Sequence, residues 1–217
     1  VTAMVCLPNT QPPVDDVSVV EFIARRAREA KLVKVYTYGT VTRATEGEQL
    51  TEMGLLSEAG AVAFTDGTKA ISNAMVMSRA LSYASGFGLI IVQHPEEPFL
   101  AKDGVMNESE ISTRLGLPGI PNAAEAIMLE RDIRLVEMTG GRYHAAHIST
   151  ADGIAIIRAA KSRGLSITCD TAPHYFALNE NAIGDYRSFA KLSPPLRSED
   201  DRLAVVSALA DGTIDII

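Results

Sequence analysis

The chain has 217 residues, 47% hydrophobic and 22% charged, with a formal net charge of −7. Such a composition supports a folded core rather than a disordered chain. The acidic balance gives nucleic acid and anionic membrane surfaces no electrostatic hold. No apolar run approaches the roughly 18–20 residues that a bilayer-spanning helix needs, and no basic stretch leads into an apolar segment with a cleavage site. Neither a membrane nor a nucleic-acid partner is expected, and a cytoplasmic location is.

The chain opens without methionine on VTAMVCLP and stops on GTIDII, both strand-like and uncapped. The expectation is one domain over residues 1–217, cut at both ends from a longer polypeptide. The first strand, Thr2–Leu7, runs into the proline-rich turn of CLPNTQPP, where Asn9 either closes an Asx-turn or offers its amide to a polar substrate. DDVSVVEFIARRAREA then has helical period, with Val17, Val20, Phe22, Ile23 and Ala27 broadly on one side. Strands follow at Val33–Val41 and Ala61–Phe64, separated by a helix over Glu48–Glu58. Asp66 closes the third strand in AVAFTDG.

A helix over Ser72–Ala84 leads to the strand Leu89–Gln93 and to His94 in VQHPEEP. The segment from about His94 to Asn107 is the longest irregular one; it either borders a substrate site or is only a connection. In NAAEAIMLERDIRLVEMTGG, Asn122 reads as an N-cap with Glu125 at N3, and a glycine pair stops the helix. The strand Tyr143–Ile148 contains His144 and His147. Strand alternation sends their side chains to opposite faces, so His147, nearer the rim, is the candidate ligand and His144 is assigned to packing or a hydrogen bond. The helix from Thr150 to Gly164, the strand Ser166–Cys169, the helix Glu199–Ala210 and the strand Thr213–Ile217 complete the order. His174 in CDTAPHYFAL stays unassigned. Arg197 in KLSPPLRSEDD could pair with a substrate carboxylate, although a surface or helix-capping role is the simpler reading. Cys6 and Cys169 read as small core residues in a reducing compartment.

Seven strands alternating with helices specify a βαβ array. A doubly wound open sheet and a (β/α)8 barrel compete. No glycine fingerprint follows the first strand, and polar residues follow several different strands, Asn9, Asp66, His94 and His147 among them. Chemistry spread over many strand ends is the barrel habit. The expected fold is therefore α/β, an incomplete (β/α)8 barrel with about seven strands. Two imidazoles and a carboxylate at equivalent rims suit zinc or a similar divalent ion, against the plainer reading of each as a satisfied structural residue.

The ordered set VCLPNTQPPVDD, GAVAFTDG, the strand ending in His94, HAAHIST, TAPHYF and KLSPPLRSEDDR resembles the class I dihydroorotases of the amidohydrolase superfamily over essentially the whole chain. The resemblance implies a metal-dependent barrel that reversibly closes N-carbamoyl-L-aspartate to L-dihydroorotate in pyrimidine biosynthesis. It implies Asp66 as the carboxylate bridging two zinc ions, His94 and His147 as ligands of the second ion, and Asn9 on the substrate carboxylate. Ser193 stands where many relatives place an asparagine substrate contact, and Asp66-Gly67 where many read Asp-Asp-Gly. The family's His-x-His would precede Val1 and its proton-carrying terminal aspartate would follow Ile217. No catalytic acid or base is thus expected within the segment, which alone is expected to be inactive. Further implications are a small-molecule substrate, a homodimer and association with aspartate transcarbamoylase. The alternatives are a hydantoinase, dihydropyrimidinase or allantoinase, which bridge their metals with a carboxylated lysine, and an inactive scaffold for the transcarbamoylase. The lysine near the relevant strand, Lys69, lies three residues beyond Asp66.

Overall fold

A computed structural model describes residues 2–217. They form two compact units, Val1–His94 with Leu135–Tyr143, and Pro95–Arg134 with His144–Ile217. In the first unit the chain runs β1 (Ala3–Cys6), α1 (Val17–Ala30), β2 (Lys34–Gly39), α2 (Met53–Glu58), β3 (Ala61–Phe64), α3 (Ala74–Gly86) and β4 (Ile90–Gln93). The strands are hydrogen-bonded in the order β1-β2-β3-β4, each pair parallel. Parallel neighbours require a crossover, and the three helices supply it. Helix α1 starts where Asp16 accepts the Ser18 N–H at 2.8 Å and ends at Lys31 in the left-handed region, a side-chain cap followed by an αL stop. The interior holds Leu56, Phe64, Met77, Leu81 and Ile91, all fully buried.

The second unit carries α4 (Pro98–Ala101), β5 (Met106–Asn107), α5 (Glu110–Leu115), β6 (Gly119–Ile120), most of α6 (Ala123–Thr139), the end of β7 (Arg142–Ala145), α7 (Ala151–Ser162), β8 (Ile167–Cys169), α8 (Pro173–Ala177) and α9 (Glu199–Ala210). β7 neighbours β8, while β5 and β6 form a separate parallel pair. Helices α7 and α9 begin on the side-chain caps Thr150 and Ser198. A second cluster of Met106, Tyr175, Ile183, Ala190 and Leu196 packs beneath the loops after β8.

Six of the seven expected strands are present. The seventh, Thr213–Ile217, is a single parallel bridge between Ile216 and Asp170. The helix expected over Glu48–Glu58 starts only at Met53, because an antiparallel bridge between Thr42 and Leu50 and a 3-10 turn at Arg43–Thr45 take up the preceding residues. The irregular stretch after His94 contains the one-turn helix α4, whose N-cap Glu97 accepts the Leu100 N–H, and ends in β5. Phe22 does not join the buried stripe of α1. It is 51% exposed, with the Arg25 guanidinium 5.6 Å over its ring. Cys169 is buried as expected, but Cys6 is only partly so.

Candidate functional site

In the first unit, Asp66 lies just beyond β3 and is 2% exposed. Its Oδ1 accepts the backbone N–H groups of Val41 and Thr42, each at 2.9 Å, and its Oδ2 accepts the Thr42 hydroxyl. Burial pushes its carboxyl above the ordinary range, against those hydrogen bonds and the nearby Lys69 charge. Lys69 itself donates through Nζ to the carbonyl and hydroxyl of Thr45, both at 3.3 Å. Asn9 is exposed and packs against Gly67; a Cβ built there would lie 3.4 Å from the Asn9 Cβ. Its turn is closed by Thr10, whose hydroxyl donates to the Pro12 carbonyl at 2.7 Å. His94 follows β4 and is buried, while the neighbouring Gln93 amide oxygen accepts the Ile71 N–H at 3.3 Å.

In the second unit the sequence reading needs correction at the histidine pair. β7 ends at Ala145, and His147 has a φ of 60°, a left-handed conformation that a non-glycine residue holds only when its surroundings impose it. Strand alternation therefore stops before His147. Both imidazoles meet the same carboxylate: His144 Nε2 lies 2.9 Å from Asp170 Oδ2, and His147 Nδ1 lies 3.2 Å from Asp170 Oδ1. Oδ1 also accepts the His147 backbone N–H at 2.7 Å. The other ring nitrogen of His144 meets the Thr168 hydroxyl at 2.8 Å, so both its nitrogens are committed inside the protein. Burial raises the Asp170 pKa, but the bonds from His144 and His147 outweigh it and hold the carboxyl well below the usual range.

Asp170 was missed from the sequence, although its place directly after a strand, in CDTAPH, is the same signal that marked Asp66. Arg197 is neither on the surface nor a cap. It is 3% exposed and donates to Ser149 Oγ at 3.1 Å, Asn107 Oδ1 at 3.0 Å and the Ile120 carbonyl at 2.8 Å. Glu125, 1% exposed, accepts from the backbone N–H and hydroxyl of both Ser149 and Thr150, two and three residues beyond His147. Ser193 is exposed and its hydroxyl donates to Glu96 at 3.2 Å. His174 makes an edge contact with the Tyr175 ring, and burial lowers its pKa, helped by His147.

Two tests of the donor set bear on an implied metal. A histidine that ligates a metal is commonly oriented by a carboxylate on its other nitrogen, and the His147–Asp170 pair has that form. Asp66 does not fit a bridge: both lone pairs of Oδ1 and one of Oδ2 are already taken, which leaves one for an ion. Among the described residues, no group of three or more His, Cys, Asp or Glu side chains is placed to hold a metal ion.

A family model described as dihydro-orotase-like matches residues 1–153. Proteins named dihydroorotase align with all of this chain: that of Desulforapulum autotrophicum is 50% identical over 216 residues, and that of Geotalea daltonii 47%. The alignment covers 51% of each relative, so the chain spans about half the length of the curated relatives it matches. Among solved structures, the L-hydantoinase (dihydropyrimidinase) from Arthrobacter aurescens superposes on 100% of this chain and 49% of its own with a TM-score of 0.81 at 20% identity. A D-hydantoinase superposes with a TM-score of 0.73 at 19% identity, covering 99% of this chain and 48% of its own. These likenesses speak to fold, and the expected incomplete (β/α)8 barrel stands. With more than half of its residues matched by the family model, the chain belongs to the dihydro-orotase-like family.

Proposed function

We propose that the intact protein is a dihydroorotase, closing N-carbamoyl-L-aspartate to L-dihydroorotate with release of water and running the reverse ring opening. The observation that carries this reading is the 50% identity to a protein named dihydroorotase, sustained over the whole chain. The 217 residues alone are proposed to be inactive. A hydantoinase-type rival would need a carboxylated lysine, and Lys69 is spent elsewhere, as an ammonium donating to two oxygens of Thr45.

Zinc is the proposed ion, with His94 and His147 as the ligands of suitable chemistry. When bound, such an ion polarises a carbonyl and makes a bound water acidic near neutral pH. Asp66 is not proposed as a bridge between two ions, because its Oδ1 already accepts two backbone N–H groups and one lone pair of Oδ2 alone remains. The chain's own residues have narrower tasks. Asp170 fixes both the backbone and the ring of His147. The exposed Asn9 amide offers donors to a substrate carboxylate. Ser193 can accept from a substrate N–H while keeping its bond to Glu96, but can donate to a substrate only by exchanging that bond.

A small-molecule substrate, a homodimer, association with aspartate transcarbamoylase and a cytoplasmic location belong to the same proposal. No helix of the described residues is long and apolar enough to cross a membrane. The test is turnover by the intact protein, supplied with zinc, of dihydroorotate and of hydantoin. Ring opening of dihydroorotate is expected; turnover of hydantoin alone would reverse the assignment.

A further inference from the structure

We infer that Asp66 is the fixed anchor of the loop that follows β2, and not the carboxylate bridge of a two-ion centre. The loop needs such an anchor. Ala44 and Thr45 have φ of 51° and 56°, and Gly47 has φ of 76°. Two consecutive non-glycine residues in the left-handed region are strained and persist only where neighbours over-determine them. The neighbours here are specific. Asp66 takes the N–H groups of Val41 and Thr42, just before the strained pair, on one oxygen, and the Thr42 hydroxyl on the other. That hydroxyl in turn accepts the Gly47 N–H at 2.9 Å, so its own proton is directed at Asp66 and a relay runs Gly47–Thr42–Asp66. Asp15 accepts the Ala44 N–H at 3.0 Å. Lys69, three residues beyond Asp66, holds the carbonyl of Thr45. The loop after β3 therefore grips the loop after β2 from both sides of its strained residues.

Lone-pair counting decides between the two roles. A carboxylate that bridges two ions gives one oxygen to each. Oδ1 has two lone pairs, and two backbone N–H groups at good distance occupy them. An ion on Oδ1 would have to displace at least one of those N–H groups, at a position 2% exposed, and leave a buried donor unsatisfied. The anchor is thus a positioning residue for the rim of the first unit, where Gly67 packs against Asn9.

The experiment uses the intact protein and the variants Asp66→Asn, Thr42→Val and their combination. The melting temperature and the zinc bound per chain after loading with zinc are measured. Neither readout depends on turnover, so failure here is separate from failure of the dihydroorotase assignment. Each single variant is expected to lower the melting temperature by about 5 °C, the scale of one charge-assisted hydrogen bond in a chain of this size. The double variant should lose less than the sum of the two single losses, because the Thr42–Asp66 bond is counted in both while only Thr42→Val also removes the acceptor of the Gly47 N–H. Zinc per chain should stay at the parent level in every variant that folds. The inference is overturned if Asp66→Asn binds less zinc than the parent. It is overturned equally if Thr42→Val melts with the parent, which remains decisive if Asp66→Asn does not fold.

Discussion

The buried carboxylate of Glu125 gives the sharpest energetic prediction. Replacing it by alanine removes the acceptor of two backbone N–H groups and two hydroxyls, at Ser149 and Thr150, which are themselves 1% and 0% exposed. Each orphaned buried N–H costs about 1–3 kcal/mol, whereas the hydroxyls can turn toward other acceptors. The expected loss for Glu125→Ala is therefore about 4 kcal/mol, and for Glu125→Gln, which keeps one acceptor oxygen, about 2 kcal/mol. In a chain of this length the alanine variant should melt about 8–16 °C lower. Urea unfolding is the assay, with the slope unchanged and the midpoint lowered. Glu130→Gln, at an exposed position of the same helix, serves as the control and should stay within about 0.5 kcal/mol. If Glu125→Gln also stays within about 0.5 kcal/mol, the clamp has no energetic reality and the account of how the loop after β7 is held fails.

Two glycine substitutions should act with opposite signs. Gly86→Ala in α3 adds a methyl with nothing within 4 Å and should stabilise by about 0.5 kcal/mol, while Gly153→Ala in α7 puts a Cβ 2.3 Å from Glu125 Oε1 and should destabilise by about 1–3 kcal/mol despite the better helix propensity; equal effects in a melting assay would refute the Glu125 placement. Burial pushes the Cys169 thiol from its ordinary 9.0 up to about 12. Its neutral form stabilises the fold fully below pH 9 and that contribution is lost as pH rises toward 12, because the unfolded chain ionises first. Iodoacetamide at pH 8 should accordingly label Cys6 well before Cys169, and equal labelling rates in the folded protein would contradict the burial. Arg197→Lys should cost about 2–4 kcal/mol, since one ammonium cannot reproduce a fork spread over Ser149, Asn107 and Ile120; a parent-like urea midpoint would show that the fork is dispensable.

The elements that could be read from the sequence are those fixed by local signals. Apolar runs gave the first six strands, and Ser198 with three acidic residues behind it marks the start of α9 at the residue expected. Thr213–Ile217 has an equally apolar pattern yet forms one bridge, because pattern does not reveal whether a neighbouring strand is at hand to pair with. His147 defeats strand alternation through a single left-handed residue, which no spacing rule anticipates. Arg197 and Glu125 escaped for a related reason. Their partners lie far along the chain, Asn107 for the arginine and Ser149 for the glutamate, while their local settings, a proline-rich turn and the first turn of a helix, suggest ordinary surface roles.

The rim carboxylates share a logic that a search for ligands overlooks. Asp66 accepts N–H groups from Val41 and Thr42, Asp170 from His147, Glu125 from Ser149 and Thr150, and Asp201 from Ala151. These donors sit where the chain leaves β2 or β7 and its N–H groups lose their ladder partners, or, for Ala151, at the start of α7, where the first N–H groups of a helix have none. Buried backbone donors must be satisfied, and an ionised carboxylate does so with bonds roughly twice as strong as a neutral acceptor makes. An acidic residue beside such a segment, just past a strand as Asp66 and Asp170 are or in the first turn of a helix as Glu125 and Asp201 are, is therefore recruited by the loops of its own fold before any ion or substrate arrives. Only the lone pairs that remain decide whether it can also serve chemistry: none is left on Asp66 Oδ1, whereas Asp170 uses its bonds to place an imidazole.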